Sequence, residues 1–175
     1  MIVMILVVVV SCGEEEKVRV LDRFGQYDVE YKTVDGVEVA DTVYPTIPSF
    51  SYLNQDSTMV TSESMKGKIW VADFFFSTCP TICPTMTTQM KRLQAMTADL
   101  ENDIQFISFS INPRYDQPTI LRRYIKHHGI TAKNWQFLTG DEAETHKLGV
   151  NSFLVHVTSS DEEADGGYAH SPAFT

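Results

Sequence analysis

The sequence predicts an α/β fold, a sheet with helices on both faces. Three observations predict it. Strand-like and helix-like segments alternate along the chain. Two runs, residues 69–76 and 104–111, are almost continuously apolar, as strands buried on both faces are. Each run is followed by a segment with apolar residues at helical spacing, which suits strand–helix–strand units. The chain has 175 residues, 43% of them hydrophobic and 21% charged, which is one domain's worth and enough for a real core. Its net charge of −9 excludes a phosphate-backbone partner, because nucleic-acid binders carry a basic face. Arg122, Arg123 and Lys126 fall in a helical segment and read as its solvated side.

Residues 1–10 form a continuous apolar run. It is too short to span a bilayer, which takes about 20 residues, but it has the length of an export-signal core. Val9-Val10-Ser11-Cys12 is similar to a bacterial lipoprotein cleavage box, whose Cys is acylated. The expectation is a leader over 1–12 and a lipid anchor on Cys12, not a buried Val-rich strand. The switch to Glu14-Glu15-Glu16-Lys17 supports this, because core strands seldom run straight into solvated charge. The mature chain would then face an oxidising compartment.

The remaining elements follow in order. Asp35-Gly36 sits between two alternating segments, the strongest short signal for a hairpin, with strands at 29–34 and 37–43. Pro45 and Pro48 punctuate the chain before a short strand at 50–53. Lys66-Gly67-Lys68 turns into the apolar strand 69–76. From Cys79 to Leu100 the pattern is helical, with Met86, Met90, Leu93 and Met96 at core spacing. Methionine fills cores commonly, so packing is the expected role of these three, not thioether ligation. After the strand at 104–111, Asp116 reads as an N-cap and Pro118 as a first-turn residue of a helix that Gly129 closes after His128. A strand at 135–138, a helix at 141–148 and strands at 153–157 and 168–175 complete the chain, the last two flanking an acidic, Gly-rich loop at 159–167.

The chemistry lies in the cysteines. Three are too few for a disulfide framework, so the close pair Cys79 and Cys83 reads as redox or metal chemistry. The pair follows a buried strand and opens a helix, in Cys-Pro-Thr-Ile-Cys-Pro at 79–84. Four-residue spacing would put both sulfurs on one helical face, about 5–6 Å apart at Cβ. That separation closes readily to a disulfide or to a shared metal. A helix N-terminus favours the Cys79 thiolate. Two thiolates suit Cu(I) or Zn(II), and a third ligand must come from elsewhere. Of five histidines, His127 and His128 end a helix and His146 reads as a surface residue. His156 lies in a strand, and His170 follows the long loop. Spacing ranks His170 only slightly above His156.

The stretch Asp-Phe-Phe-Phe-Ser-Thr-Cys-Pro-Thr-Ile-Cys-Pro-Thr-Met at 73–86 resembles the hallmark of the Sco/SenC copper proteins, whose pattern is Cys-Pro-x-x-Cys-Pro. Ser-Ile-Asn-Pro-Arg-Tyr-Asp-Gln-Pro at 110–118 is similar to the family's Ser-Val-Asp-Pro-x-x-Asp-Thr-Pro, with Asn112 in place of an Asp. Trp-Gln-Phe-Leu-Thr-Gly at 135–140 and Tyr-Ala-His-Ser at 168–171 also match. The resemblance implies a thioredoxin-like fold with an N-terminal β-hairpin addition, truncated before the last helix. The implied organisation is a leader at 1–12, a tether and hairpin at 13–44, and a thioredoxin-like domain at 45–175, incomplete at its C-terminus. It implies copper as cargo, Cu(I) with Cu(II) as a second form, held by Cys79, Cys83 and His170. Implied partners are a copper-receiving subunit of cytochrome c oxidase, a copper donor or thiol reductant, and the membrane through the anchor. The implied location is the periplasmic side of a bacterial envelope. The competing reading is a thiol-disulfide reductase, with Cys79 as nucleophile and Cys83 as resolving thiol. General reductases use Cys-x-x-Cys, so the third intervening residue favours metal binding. Zinc usually takes four ligands, and Asp73 reads as a buried or edge carboxylate, not a fourth ligand.

Overall fold

The computed structural model describes residues 27–44, 46–158, 168–170 and 172. The expected leader, Cys12, the tether, the acidic loop 159–167 and half of the expected last strand (171 and 173–175) lie outside these residues.

Strands β1 (Asp28–Val34) and β2 (Val37–Val43) form an antiparallel hairpin in which Val34 pairs with Val37. Asp35 and Gly36 both have positive φ, 51° and 81°, the conformation that lets a two-residue turn follow the strand twist. Every residue of both strands is exposed.

The central sheet has five strands: β3 (Ser51–Asn54), β4 (Met59–Thr61), β5 (Ile69–Phe75), β6 (Ile104–Ser110) and β7 (Trp135–Thr139). Their order is β4-β3-β7-β6-β5. β5, β6 and β7 are parallel, and β3 runs antiparallel to β7 and β4. β4 is not among the strands the sequence predicts. At three residues it is too short for alternation to register, and it exists because Val60 pairs with Tyr52 of β3.

Three helices cover the sheet: α1 (Ile82–Met96), α2 (Pro118–His127) and α3 (Glu142–Asn151). Side chains alternate across a strand, so Phe74 and Phe75 mark opposite faces. Phe75 packs on Tyr124 of α2, and Tyr124 is hydrogen-bonded to Thr87 of α1 at 2.6 Å, so these helices share a face. α3 lies on the other face. Its Gly149 comes so close that a Cβ would stand 2.8 Å from Val157 Cγ2 and 3.1 Å from Phe74. On that side Phe109 is surrounded by the rings of Phe50, Tyr52, Phe74 and Phe153, with centroids 5.2–5.7 Å away. The expected α/β layering with helices on both faces is therefore present.

Several boundaries differ from the sequence reading. α1 ends at Met96, followed by a short 3-10 turn at Ala98–Leu100, and Met96 is exposed instead of packed. Residues 153–156 are not a strand. Their apolar alternation does bury Phe153 and Val155, but the N–H groups of these two donate to the carbonyls of Leu148 and Gly149, at 3.2 and 3.0 Å. The end of α3 thus takes the donors a ladder would need. Only β8 (Val157–Thr158) forms, paired with β9 (Ala169–His170).

Candidate metal centre

β5 delivers the chain to the site at the C-terminal end of the parallel strands, where open α/β sheets present their functional groups. The helix begins later than the spacing suggested. α1 starts at Ile82, so Cys79 and Pro80 precede it, Cys83 lies in its first turn, and Pro84 is the first-turn proline. The two cysteines are therefore not brought together as neighbours on one helical face. A turn does it instead: the Cys79 N–H donates to the Phe76 carbonyl at 3.2 Å.

Both side chains are thiols, and both are buried, Cys79 at 7% exposure and Cys83 at 1%. Their environments push them apart. Burial would raise the Cys79 thiol, but hydrogen bonds from the backbone N–H groups of Cys83 and Thr81, and from the side chains of both, outweigh it and hold it below the ordinary value. The Thr81 hydroxyl lies 3.8 Å from Cys79 Sγ. Burial drives the Cys83 thiol well up, and the neighbouring Cys79 and Asp73 charges add to the rise. The first sulfur to ionise is thus Cys79, with the proton of Cys83 beside it.

Two carboxylates support this corner. Asp116 was expected to cap α2. The residue at the cap is Gln117, with no side-chain cap bond, and Asp116 turns inward with no exposed surface. Its Oδ2 accepts from the Ser77 N–H at 3.1 Å and from the Ser110 hydroxyl at 2.6 Å, and its Oδ1 accepts from the Ser77 hydroxyl. Burial raises its pKa, and those hydrogen bonds oppose the rise. Asp116 therefore ties the loop that carries Cys79 to the end of β6. A serine at each of two adjacent parallel strand ends, with a nearby Asp, was the signal that could have found it. Asp73 is the buried carboxylate of the two expected alternatives. Burial lifts its pKa to about 7, opposed by a hydrogen bond from Ser108, and its Oδ1 has no hydrogen-bond partner among the described residues.

The histidines separate. His170 sits in β9 opposite Val157, and its side chain lies outside the described atoms. What holds its segment is visible. The ring of Tyr168, two residues earlier, packs 5.5 Å from Phe76, three residues before Cys79. The Tyr168 hydroxyl donates to Asn112 Oδ1 at 3.2 Å and lies 3.4 Å from Glu142 Oε1. Asn112 replaces the usual Asp at a point where a second carboxylate would face Glu142 across that hydroxyl. Glu142 is also ion-paired with Arg114, 3.0 Å from Nε to Oε2, without hydrogen-bond alignment. His156 is exposed just before β8. His128 ends α2 and packs on Tyr124, and His127 is exposed. His146 is not the surface residue expected: it is half-buried, with Nε2 3.0 Å from the Ile111 carbonyl, which requires a proton on that nitrogen. Among the described residues no group of three or more His, Cys, Asp or Glu side chains forms a metal cluster. Cys79 and Cys83 are the soft donors that the described residues bring together.

A parallel-sheet core that delivers two touching thiols to a helix N-terminus defines a thioredoxin-like dithiol protein. The SCO1/SenC family model matches residues 39–175, and the chain belongs to that family. It is 36% identical over 129 residues to the SCO1 protein homolog of Bacillus subtilis, covering 73% of this chain and 67% of that one. Matches to two further curated relatives span only 60% and 59% of their length. Among solved structures it resembles a SCO1/SenC family lipoprotein from Bacillus anthracis, with TM-score 0.67, 35% identity and coverage of 74% of this chain and 76% of that one. It also resembles Bradyrhizobium japonicum ScoI with copper bound, with TM-score 0.58, 25% identity and coverage of 73% and 77%.

Proposed function

We propose that this chain binds Cu(I) through the thiolates of Cys79 and Cys83 and the imidazole of His170, and delivers it to a subunit of cytochrome c oxidase during assembly. The observation that carries the reading is the thiol pair: buried, in contact, and unequal in acidity. Thiolates are soft donors that suit Cu(I), and a relative of the same fold is described with copper bound. Three donors at a loop beside a helix end hold the cargo and leave one side for a partner to take it. Cu(II) is a second form the same donors would accept. Membrane attachment through a lipid on Cys12, on the periplasmic side of a bacterial envelope, fits a relative described as a lipoprotein. Among the described residues no helix is long and apolar enough to cross a membrane.

Anaerobic titration of the reduced chain with Cu(I) against a competing chelator tests the reading, alongside Cys83→Ser and His170→Ala. One tight equivalent, weakened at least tenfold by each substitution, is expected. Affinity should also fall as pH drops, about tenfold per pH unit for each thiol proton displaced. The raised Cys83 keeps its proton through the neutral range, so the slope should persist there.

The same asymmetry favours a second reading, a thiol-disulfide reductase acting on cysteines of an oxidase subunit or other envelope proteins. Cys79 would attack and Cys83 would resolve. Weak copper binding that ignores His170→Ala would select it.

A further inference from the structure

We infer that the groove between α1 and α2 docks an acidic, extended segment of the partner protein that exchanges thiols or copper with Cys79. The inference rests on Cys79 and Cys83 being the exchange site.

The groove opens at Cys79 and runs along α2, with a volume of about 530 Å³. Ile120, Arg123, Tyr124 and His127 line it at i, i+3, i+4 and i+7, one continuous stripe of the helix. Seven residues of rise give about 10 Å of length, room for about three residues of extended chain. Ile120 and the buried Tyr124 supply an apolar floor, and Arg123, His127 and His128 supply the polar wall.

The charge of the groove is opposite to that of the chain. The sequence holds 23 acidic residues and a net charge of −9. None of the acidic side chains among the described residues lines the groove. Asp116, behind Ser77, is 0% exposed, and its oxygens accept from Ser77 and Ser110. Arg122 and Arg123, which the sequence alone assigns to one solvated face, diverge. Arg122 donates to the Gln55 carbonyl at 2.9 Å. Arg123 is exposed and has no ion-pair or hydrogen-bond partner among the described residues. Lys91 adds a second cation where its Nζ donates to the His128 carbonyl at 2.7 Å. A guanidinium that lines the same groove as the Cys79 sulfur, unpaired among the described residues and carried on a chain of net negative charge, selects an anionic segment and steers its approach.

Two disulfide-linked peptide probes of equal length test this, one with Asp and one with Lys flanking the cystine. Each rate is normalised to the probe's reaction with free cysteine. The Cys79 thiolate attacks one probe sulfur, the probe S–S bond breaks, and one peptide thiolate leaves. Cys83 then loses its proton to solvent and displaces the second peptide thiolate, so the protein is oxidised by two electrons and the probe is reduced. With the reduced full chain at low salt, the acidic probe should react at least tenfold faster than the basic one. The ratio should shrink as salt screens the groove. Arg123→Glu should reverse the preference. Lys68→Glu, the same charge change at the opposite end of β5, should leave the ratio unaltered.

Net charge alone gives the opposite sign, with the basic probe faster. That result, equal rates, or an equal response to both substitutions would overturn the inference. The copper titration reports on the thiol site and the probe ratio on the groove, so either can fail without the other.

Discussion

Every residue of the β1–β2 hairpin is exposed, whereas every residue from 72 to 76, the run that leads to Cys79, is buried. Both regions carry strong sequence signals, but the signals mean different things. The hairpin is specified within sixteen consecutive residues by a turn dipeptide, in-register pairing and an exposed Lys32–Asp41 ion pair. Isolated hairpins of this kind are marginal on their own. The corner at Cys79 is held by side chains far away in sequence. Ser77 meets Asp116, Phe76 meets Tyr168, and Thr87 meets Tyr124. The contrast teaches that a legible local signal does not imply a large contribution to stability, and that the reactive thiols depend on long-range contacts.

The largest expected effect separates the two regions directly. Phe109→Ala removes a fully buried ring from a cluster of four others and should cost about 3–5 kcal/mol. Tyr31→Ala, on the exposed hairpin, should stay within about 0.5 kcal/mol. Denaturant midpoints for the two variants would collapse the comparison if they were equal.

Next comes Asp73. Burial raises its folded pKa from 3.8 to about 7, so the folded state keeps a proton the unfolded chain has released. Its contribution is intact below pH 3.8 and is lost as pH rises through about 7, a decline of up to about 4 kcal/mol. Denaturant melts at acidic and neutral pH should show that decline, and Asp73→Asn should flatten it. An unchanged slope in the variant would rule out Asp73 as its source.

Asp116→Asn should be smaller, about 1–3 kcal/mol, because the amide turns one acceptor into a donor facing Ser77 or Ser110. Its distinctive readout is the site. With the loop loosened, the Cys79 thiol should move up towards its ordinary value, measurable by the pH dependence of thiolate absorbance. A loss of stability with Cys79 unmoved would make Asp116 a structural tie only.

Gly36→Ala should be smallest. At φ 81° a Cβ is strained by about 1 kcal/mol. The loss should appear as faster amide exchange in β1 and β2, with the midpoint of the sheet unchanged. A shifted midpoint would show that the hairpin supports the body after all.

Residue type and short-range order determined much of this protein. Two apolar runs marked β5 and β6 as strands covered on both faces, because such a strand has no polar side to show. They did not give the order: the expected central position of 69–76 is not found, and β5 stands at the edge of the five-stranded sheet. Asp35-Gly36 fixed a turn, because few dipeptides accept two positive φ values. The Cys79–Cys83 motif marked the reactive thiols, because its spacing and prolines require a chain turning from strand into helix. Tertiary structure decided what spacing could not express. It placed Cys79 before the helix instead of on it, because α1 starts only at Ile82 and a backbone bond to Phe76 turns the loop. It turned Asp116 away from the helix cap, because two serine hydroxyls and an amide offered more than one helix terminus could. It made a strand of residues 59–61 and denied one to residues 153–156, because backbone donors go to whichever carbonyl the packing brings near.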